Sequence, residues 1–218
     1  MGKKTKRDVV YKALKKQIHS GYLLPGTRLI ELDLSSQFKI SRTIVREVIK
    51  QLTIEGQLNV VPYKGATVAK ISVRDLEENY RIQQDLEGLA TFLSTERLPK
   101  KQIAEMERIC QSSKDHNSQD VAGWQEWNIR FHGILIKNCG NRHLIELIKS
   151  YREQFARYWF PILSIPGSIE IFTEEHYKIT EAVKARKPAL ARDLIEQHLG
   201  RGIKQIIEMH KNAYHPSL

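Results

Sequence analysis

The stretch Ser41-Arg42-Thr43-Ile44-Val45-Arg46-Glu47-Val48-Ile49-Lys50-Gln51-Leu52 constrains the fold more than any other part of this chain. Val45, Val48, Ile49 and Leu52 follow the i, i+3, i+4, i+7 spacing that gives a helix one buried stripe. Ser41 can cap the helix by accepting a bond from a free backbone N–H. Arg42, Thr43 and Arg46 leave the first two turns away from the stripe. A short helical pattern, about Glu31 to Phe38, precedes this segment across Lys39-Ile40. A helix that shows arginines at its N-terminal end, just after a short helix and a turn, is shaped to enter a DNA major groove. Arginine bonds guanine in bidentate fashion or neutralises phosphate, and Thr43 can bond phosphate or touch a base. The competing role for Arg46 is an ion pair with Glu47 or Glu31.

The flanking sequence completes a small domain. A first helix is expected from about Arg7 to His19, with Val10, Leu14 and Ile18 on its buried face. Gly21 ends it, and Leu24-Pro25-Gly26-Thr27 reads as a turn. After the Ser41 helix, Leu58–Val61 and Ala66–Ala69 read as two strands around Pro62-Tyr63-Lys64-Gly65, a hairpin with a glycine in its turn. Three helices and a hairpin make a winged helix-turn-helix, here residues 1–70. Ser41, Arg42, Thr43 and Arg46 are its candidate DNA contacts, with Lys64 and Gly65 at the wing and Arg28 beside the turn as a phosphate contact. From residue 71 the pattern is helical throughout, with segments at about 73–96, 100–113, 119–138, 141–160, 168–186 and 188–212. Pro99, Gly140-Asn141, Pro161, Pro166-Gly167 and Pro188 fall between them or in a first turn. The expected fold class is mainly α: a winged helix-turn-helix, then an all-α six-helix bundle over 71–218.

Charge supports the division. Of the net +10 over 218 residues, residues 1–70 hold 14 Lys+Arg against 5 Asp+Glu, a net of +9, and the rest holds 21 against 20, a net of +1. A polyanion partner for the first third alone fits that asymmetry. Cys110 and Cys139 form no spaced motif and fit reduced thiols better than a disulfide framework. No apolar run approaches the roughly 20 residues that span a bilayer. The basic N-terminus has no apolar run behind it, so a cytoplasmic protein is expected.

The ordered set Leu24-Pro25-Gly26-Thr27-Arg28-Leu29, Leu34, Ser41-Arg42-Thr43-Ile44-Val45-Arg46-Glu47, Leu52, Glu55-Gly56 and Gly65 resembles the DNA-binding domain of GntR-family bacterial transcription regulators. The downstream half resembles the helical FCD ligand-binding domain of the FadR/VanR-type branch, and six helices favour the VanR-like subgroup. The resemblance implies a homodimer that binds a short palindromic operator, acts most simply as a repressor, and is released by a small metabolite.

His132, His176 and His198 lie on three different expected helices, and Asn128 shares a helix face with His132. Three imidazoles and an oxygen suit Zn²⁺, Ni²⁺ or a similar ion. On spacing alone, hydrogen-bonded core histidines are the commoner reading. The resemblance implies more. Many FCD domains carry Asp-x-x-x-His on one helix and a histidine on each of the last two, matched here by Asn128-Ile129-Arg130-Phe131-His132, Glu175-His176 and Gln197-His198. Asn128 departs from the usual Asp, which weakens the site without removing it. In that family the metal helps hold a carboxylate effector beside an arginine. Arg81, Arg130 and Arg152 are candidates for that arginine, and Tyr158 for the cavity lining. Gln83 stands where the family often has Arg, four residues before Glu87, which implies a less acidic or differently held effector.

An enzyme is not expected. A hydrolytic metal needs a nearby general base, and no nucleophile elbow, phosphate loop or His-Glu-x-x-His motif is present. The alternative regulator is a metal sensor in which the ion itself is the signal.

Overall fold

The computed structural model describes residues 5–61, 65–70, 72–114, 120–163 and 165–214; the side chains of residues 61, 73, 154–161, 206 and 209–214 lie outside that description. The chain forms two compact units, residues 1–71 with 154–158, and residues 72–153 with 159–218.

The first unit begins with α1, Lys6–His19, opened by a capping box in which Thr5 and Asp8 satisfy each other's backbone N–H. A two-residue strand β1, Arg28–Leu29, leads into α2, Glu31–Phe38, which ends on Lys39 in the left-handed conformation. Helix α3, Arg42–Ile54, is capped by the Ser41 side chain accepting from the Ile44 N–H. Strands β2, Leu58–Val61, and β3, Gly65–Val68, form the wing, and the sheet order is β1-β3-β2, all antiparallel. Val45, Val48, Ile49 and Leu52 from α3 meet Val10, Leu14 and Ile18 from α1, Leu34 from α2, and Leu58, Ala66 and Val68 from the sheet. Burial of each α3 residue is worth about 1.5–3 kcal/mol, enough to fix which face points outward.

β1 has no counterpart in the sequence reading. Two residues carry no periodicity, and only the pairing of Arg28 with Thr67 and Leu29 with Ala66 defines the strand. The wing also shifts by one residue: Gly65 opens β3 instead of closing the turn, with a φ of +84° that favours glycine.

Beyond residue 71 every helical segment expected from the sequence is present. These are α4, Val73–Arg97; α5, Lys100–Lys114; α6, Val121–Lys137; α7, Arg142–Leu163; α8, Ser168–Lys184; and α9, Pro188–Tyr214. One boundary differs by more than two residues. α7 passes through Pro161 to Leu163, because a proline near a helix end forfeits one N–H bond that the last turn can lose. The break comes at Gly167, whose φ of +83° stops α7 from continuing into α8. The main core joins α5, α6, α8 and α9 through Met106, Ile109, Phe131, Leu135, Ile179, Val183, Ile195 and Leu199. α4 lies along α9, and Gly88 and Gly200 leave room for Glu196 and Gln84 where the two helices meet. Among the described residues no helix is long and apolar enough to cross a membrane.

Candidate functional site

Two groups of residues carry the chemistry, one in each unit. In the first unit, Arg42 and Arg46 follow the Ser41 cap, and their side chains are 58% and 62% exposed. Both turn to Glu31, the first residue of α2. Arg46 Nε donates to Glu31 Oε1 at 3.0 Å and to Oε2 at 2.9 Å, and an Arg42 terminal nitrogen reaches Oε2 at 3.4 Å. So the pairing considered for Arg46 is formed, yet the guanidinium stays open to solvent. An ion pair this exposed is worth under about 1 kcal/mol and yields readily to phosphate or a base edge. Thr43 is exposed beside Arg42. Arg28, exposed on β1, lines one concavity with Glu31, Arg42, Val60 and Gly65, where helix α3 and the wing meet. Lys64 lies outside the described residues.

In the second unit, His132 from α6, His176 from α8 and His198 from α9 converge. One ring nitrogen from each lies within 4.8 Å of the others, and all three residues are buried. Asn128 sits one turn before His132 and is buried too. An aromatic pair holds His176 in place. Phe131 stacks on it with centroids 4.0 Å apart, and Trp124 lies parallel at 5.8 Å with its indole N–H on Thr173 Oγ1.

Carboxylates stand behind two of the histidines. His132 Nδ1 faces Glu87 Oε2 at 3.2 Å, and His198 Nδ1 faces Glu175 Oε2 at 2.8 Å. An ionised carboxylate only accepts, so each Nδ1 carries the hydrogen and each Nε2 is the ring nitrogen left to face a metal. That is the carboxylate–histidine arrangement that orients imidazole for a metal. Glu87 is buried but charged: burial pushes its pKa up, and Arg152 and His132 outweigh burial and hold it well below the ordinary carboxylate range. Arg152 grips both Glu87 oxygens at 2.7 Å, and Gln83 Nε2 donates to Oε1 at 2.7 Å. Glu175 is held low in the same way, with burial opposed by His198 and Arg201. Burial, helped by Arg152, depresses His132 to about 3, and burial with the other two histidines drives His176 well down. His132 and His176 are therefore neutral at pH 7, the state a metal ligand needs.

The donor set fits a divalent ion. His176 Nε2 and Asn128 Oδ1 are buried and have no hydrogen-bond partner among the described residues. Two nitrogens each about 2.1 Å from one tetrahedral ion are about 3.4 Å apart. A pair as wide as 4.8 Å would close by about 1.4 Å on binding.

Not every residue singled out from the sequence reaches this cluster. Arg130 projects from α6 about 200° round from both Asn128 and His132, pairs with Glu105 and covers the Trp127 ring. Arg81 is exposed, two residues and about 200° from Gln83. The Tyr158 side chain lies outside the described residues. Conversely, sequence reasoning used Glu87 only as a marker and gave Glu175 no role. Successive residues on a helix face apart, and Glu175 meets His198 of the next helix. Pairs between helices leave no spacing signal in a sequence.

Comparison with known proteins agrees with this layout. Residues 6–68 match the model of the bacterial regulatory proteins of the gntR family, and residues 78–201 match the FCD domain. The HTH-type transcriptional regulator McbR of Escherichia coli K12 is 37% identical over 201 residues, covering 90% of each chain. The HTH-type transcriptional repressor GlaR of the same organism is 27% identical over 206 residues, covering 87% of this chain and 90% of that protein. The solved structure of E. coli McbR/YncC superposes with a TM-score of 0.77 over 94% of this chain and 99% of that one. Its structure-aligned identity is 24%, so the superposition bears on fold alone.

Proposed function

Because this chain belongs to the GntR family of DNA-binding transcription regulators and carries an FCD ligand-binding domain, we propose that it is a homodimeric repressor released by a small carboxylate metabolite held at a metal ion. It is a transcription regulator and not an enzyme. Residues 1–70 are assigned to operator binding, with Ser41, Arg42, Thr43, Arg46, Lys64, Gly65 and Arg28 as contacts. Residues 71–218 are assigned to effector binding and dimerisation. A repressor named among the relatives supports the sign of regulation, and a cytoplasmic location follows from the role.

The convergence of His132, His176 and His198 within 4.8 Å carries the effector reading. These residues and Asn128 would hold the ion, Zn²⁺ or Ni²⁺ by ligand type. When bound, such an ion supplies positive charge and open positions for carboxylate oxygens. Glu87 and Glu175 keep the imidazoles in the ligating tautomer, Arg152 and Arg201 keep those carboxylates ionised, and Trp124 and Phe131 keep water from His176. Effector binding shifts the dimer between arrangements, only one of which matches the spacing of operator half-sites.

The test combines three measurements on the purified chain: metal content after dialysis, sequencing of genomic fragments it retains, and release by effector. Stoichiometric metal, a few strong sites sharing a palindrome, and normal operator binding by metal-free His176→Ala with lost metal are expected. Full metal retention by His176→Ala would sink the site. Release of operator by metal alone, with no organic ligand, would favour the metal-sensing alternative.

A further inference from the structure

Most of the surface proposed to meet DNA is cationic or polar, but one part of it is apolar. Ile30, Leu32 and Val60 are 48%, 61% and 53% exposed. All three line the concavity between α3 and the wing, beside Arg28, Glu31 and Arg42. A single exposed aliphatic residue is ordinary. Three around one concavity, rimmed by charged side chains, are the pattern of a surface that a partner covers. Arginines at the rim match a polyanion, but phosphate oxygens offer an aliphatic side chain nothing. The apolar surface therefore fits the bases of the DNA and not its backbone.

Leu32 is the residue best placed to use that surface. It is the most exposed of the three and lies in the first turn of α2, next to Glu31. Glu31 accepts from Arg46 Nε and from a terminal nitrogen of Arg42, which ties this turn to the arginines of α3. The turn itself carries Glu31 and Asp33 and no cation. Carboxylates there repel phosphate, so the turn fits the groove and not the strand. In the major groove one group attracts an aliphatic side chain, the C5-methyl of thymine, and the minor groove shows no such group.

We propose that Leu32 reads a thymine methyl group in the major groove of the operator, beside the arginines of α3. The proposal rests on the assignment of residues 1–70 to operator binding. It adds to that reading an uncharged contact, which changes the sequence preferred and leaves the electrostatic part of binding alone.

The experiment starts from the operator that the full chain selects out of genomic fragments. Each thymine of that duplex is replaced singly by deoxyuridine, which keeps the pairing and hydrogen-bonding groups and lacks only the methyl. Fluorescence anisotropy at one salt concentration should find a position where the replacement weakens binding about fourfold, the effect of one buried methyl. Leu32→Ala should bind the thymine and uridine duplexes equally at that position. Its salt dependence should match that of the unaltered chain, because no charge is lost. Its thermal melt should be unchanged, since the side chain is exposed. A selected site without thymine, or no uridine penalty at any position, would overturn the proposal. A penalty that survives Leu32→Ala would overturn it too, and move the methyl contact to a neighbour such as Ile30. Selection of no site at all by the unaltered chain would overturn the operator assignment on which this reading rests.

Discussion

The two neutral histidines make this protein sensitive to acid in a definite window. His132 has a folded pKa of about 3 against an ordinary value of 6.5, and His176 also lies well below 6.5. Below pH 6.5 the unfolded chain takes up protons at these positions while the folded chain does not. Stability is therefore complete above 6.5 and falls as pH drops toward the folded values, by up to about 1.4 kcal/mol per pH unit for each group. Glu87 and Glu175, depressed from 4.5, add their own loss only below about that value. The metal-free protein should show a urea midpoint that falls steadily between pH 7 and 5, before any carboxylate titrates. A flat midpoint over that range would mean that the buried imidazoles are not held neutral.

At the scale of elements, α3 depends on its first turn. Ser41 satisfies the Ile44 N–H, and the residues that follow it are those proposed to meet DNA. Ser41→Ala should cost the winged unit about 1 kcal/mol. Fraying would also release Arg42 and Thr43 from a fixed geometry. Operator affinity should then drop more than the stability loss alone predicts, while metal content stays unchanged. Thermal melts and gel shifts on one preparation separate the two effects. In the second unit, α4 brings Gln83 and Glu87, α6 brings Asn128 and His132, and α8 brings Glu175 and His176. Each helix thus contributes a ligand or its support at a spacing of one residue or one turn.

At the scale of the whole molecule, charge is segregated, with +9 of the net +10 in residues 1–70. Operator binding should weaken steeply with salt, the logarithm of affinity falling linearly with the logarithm of salt concentration. If Arg46 or Arg42 neutralises a phosphate, its replacement by Ala lowers that slope by about one; if it reads a base, the slope holds and discrimination between operator and random DNA collapses. Fluorescence anisotropy at several salt concentrations reads both. Binding independent of salt would contradict the proposed interface. Glu31 holds both arginines in the free protein, so the comparison is best made at one constant pH.

What sequence alone determined is everything carried by local period and punctuation. The stripe Val45-Val48-Ile49-Leu52, the Ser41 cap, the pattern Glu31–Phe38 and the segments between Pro99, Gly140, Gly167 and Pro188 lie in windows short enough for helix geometry to read. His132, His176 and His198 were visible as three histidines on three helices, and family resemblance joined them into one candidate site. Tertiary structure decided the rest. It made β1, which exists only through pairing with β3. It set Arg130 on Glu105, away from the histidines. It placed Glu87 behind His132 and Glu175 behind His198, and it bound Arg152 to Glu87. These contacts join residues 23 to 65 positions apart. No periodicity spans such a gap: local backbone geometry fixes which face of a helix a residue occupies, and only packing fixes what that face meets.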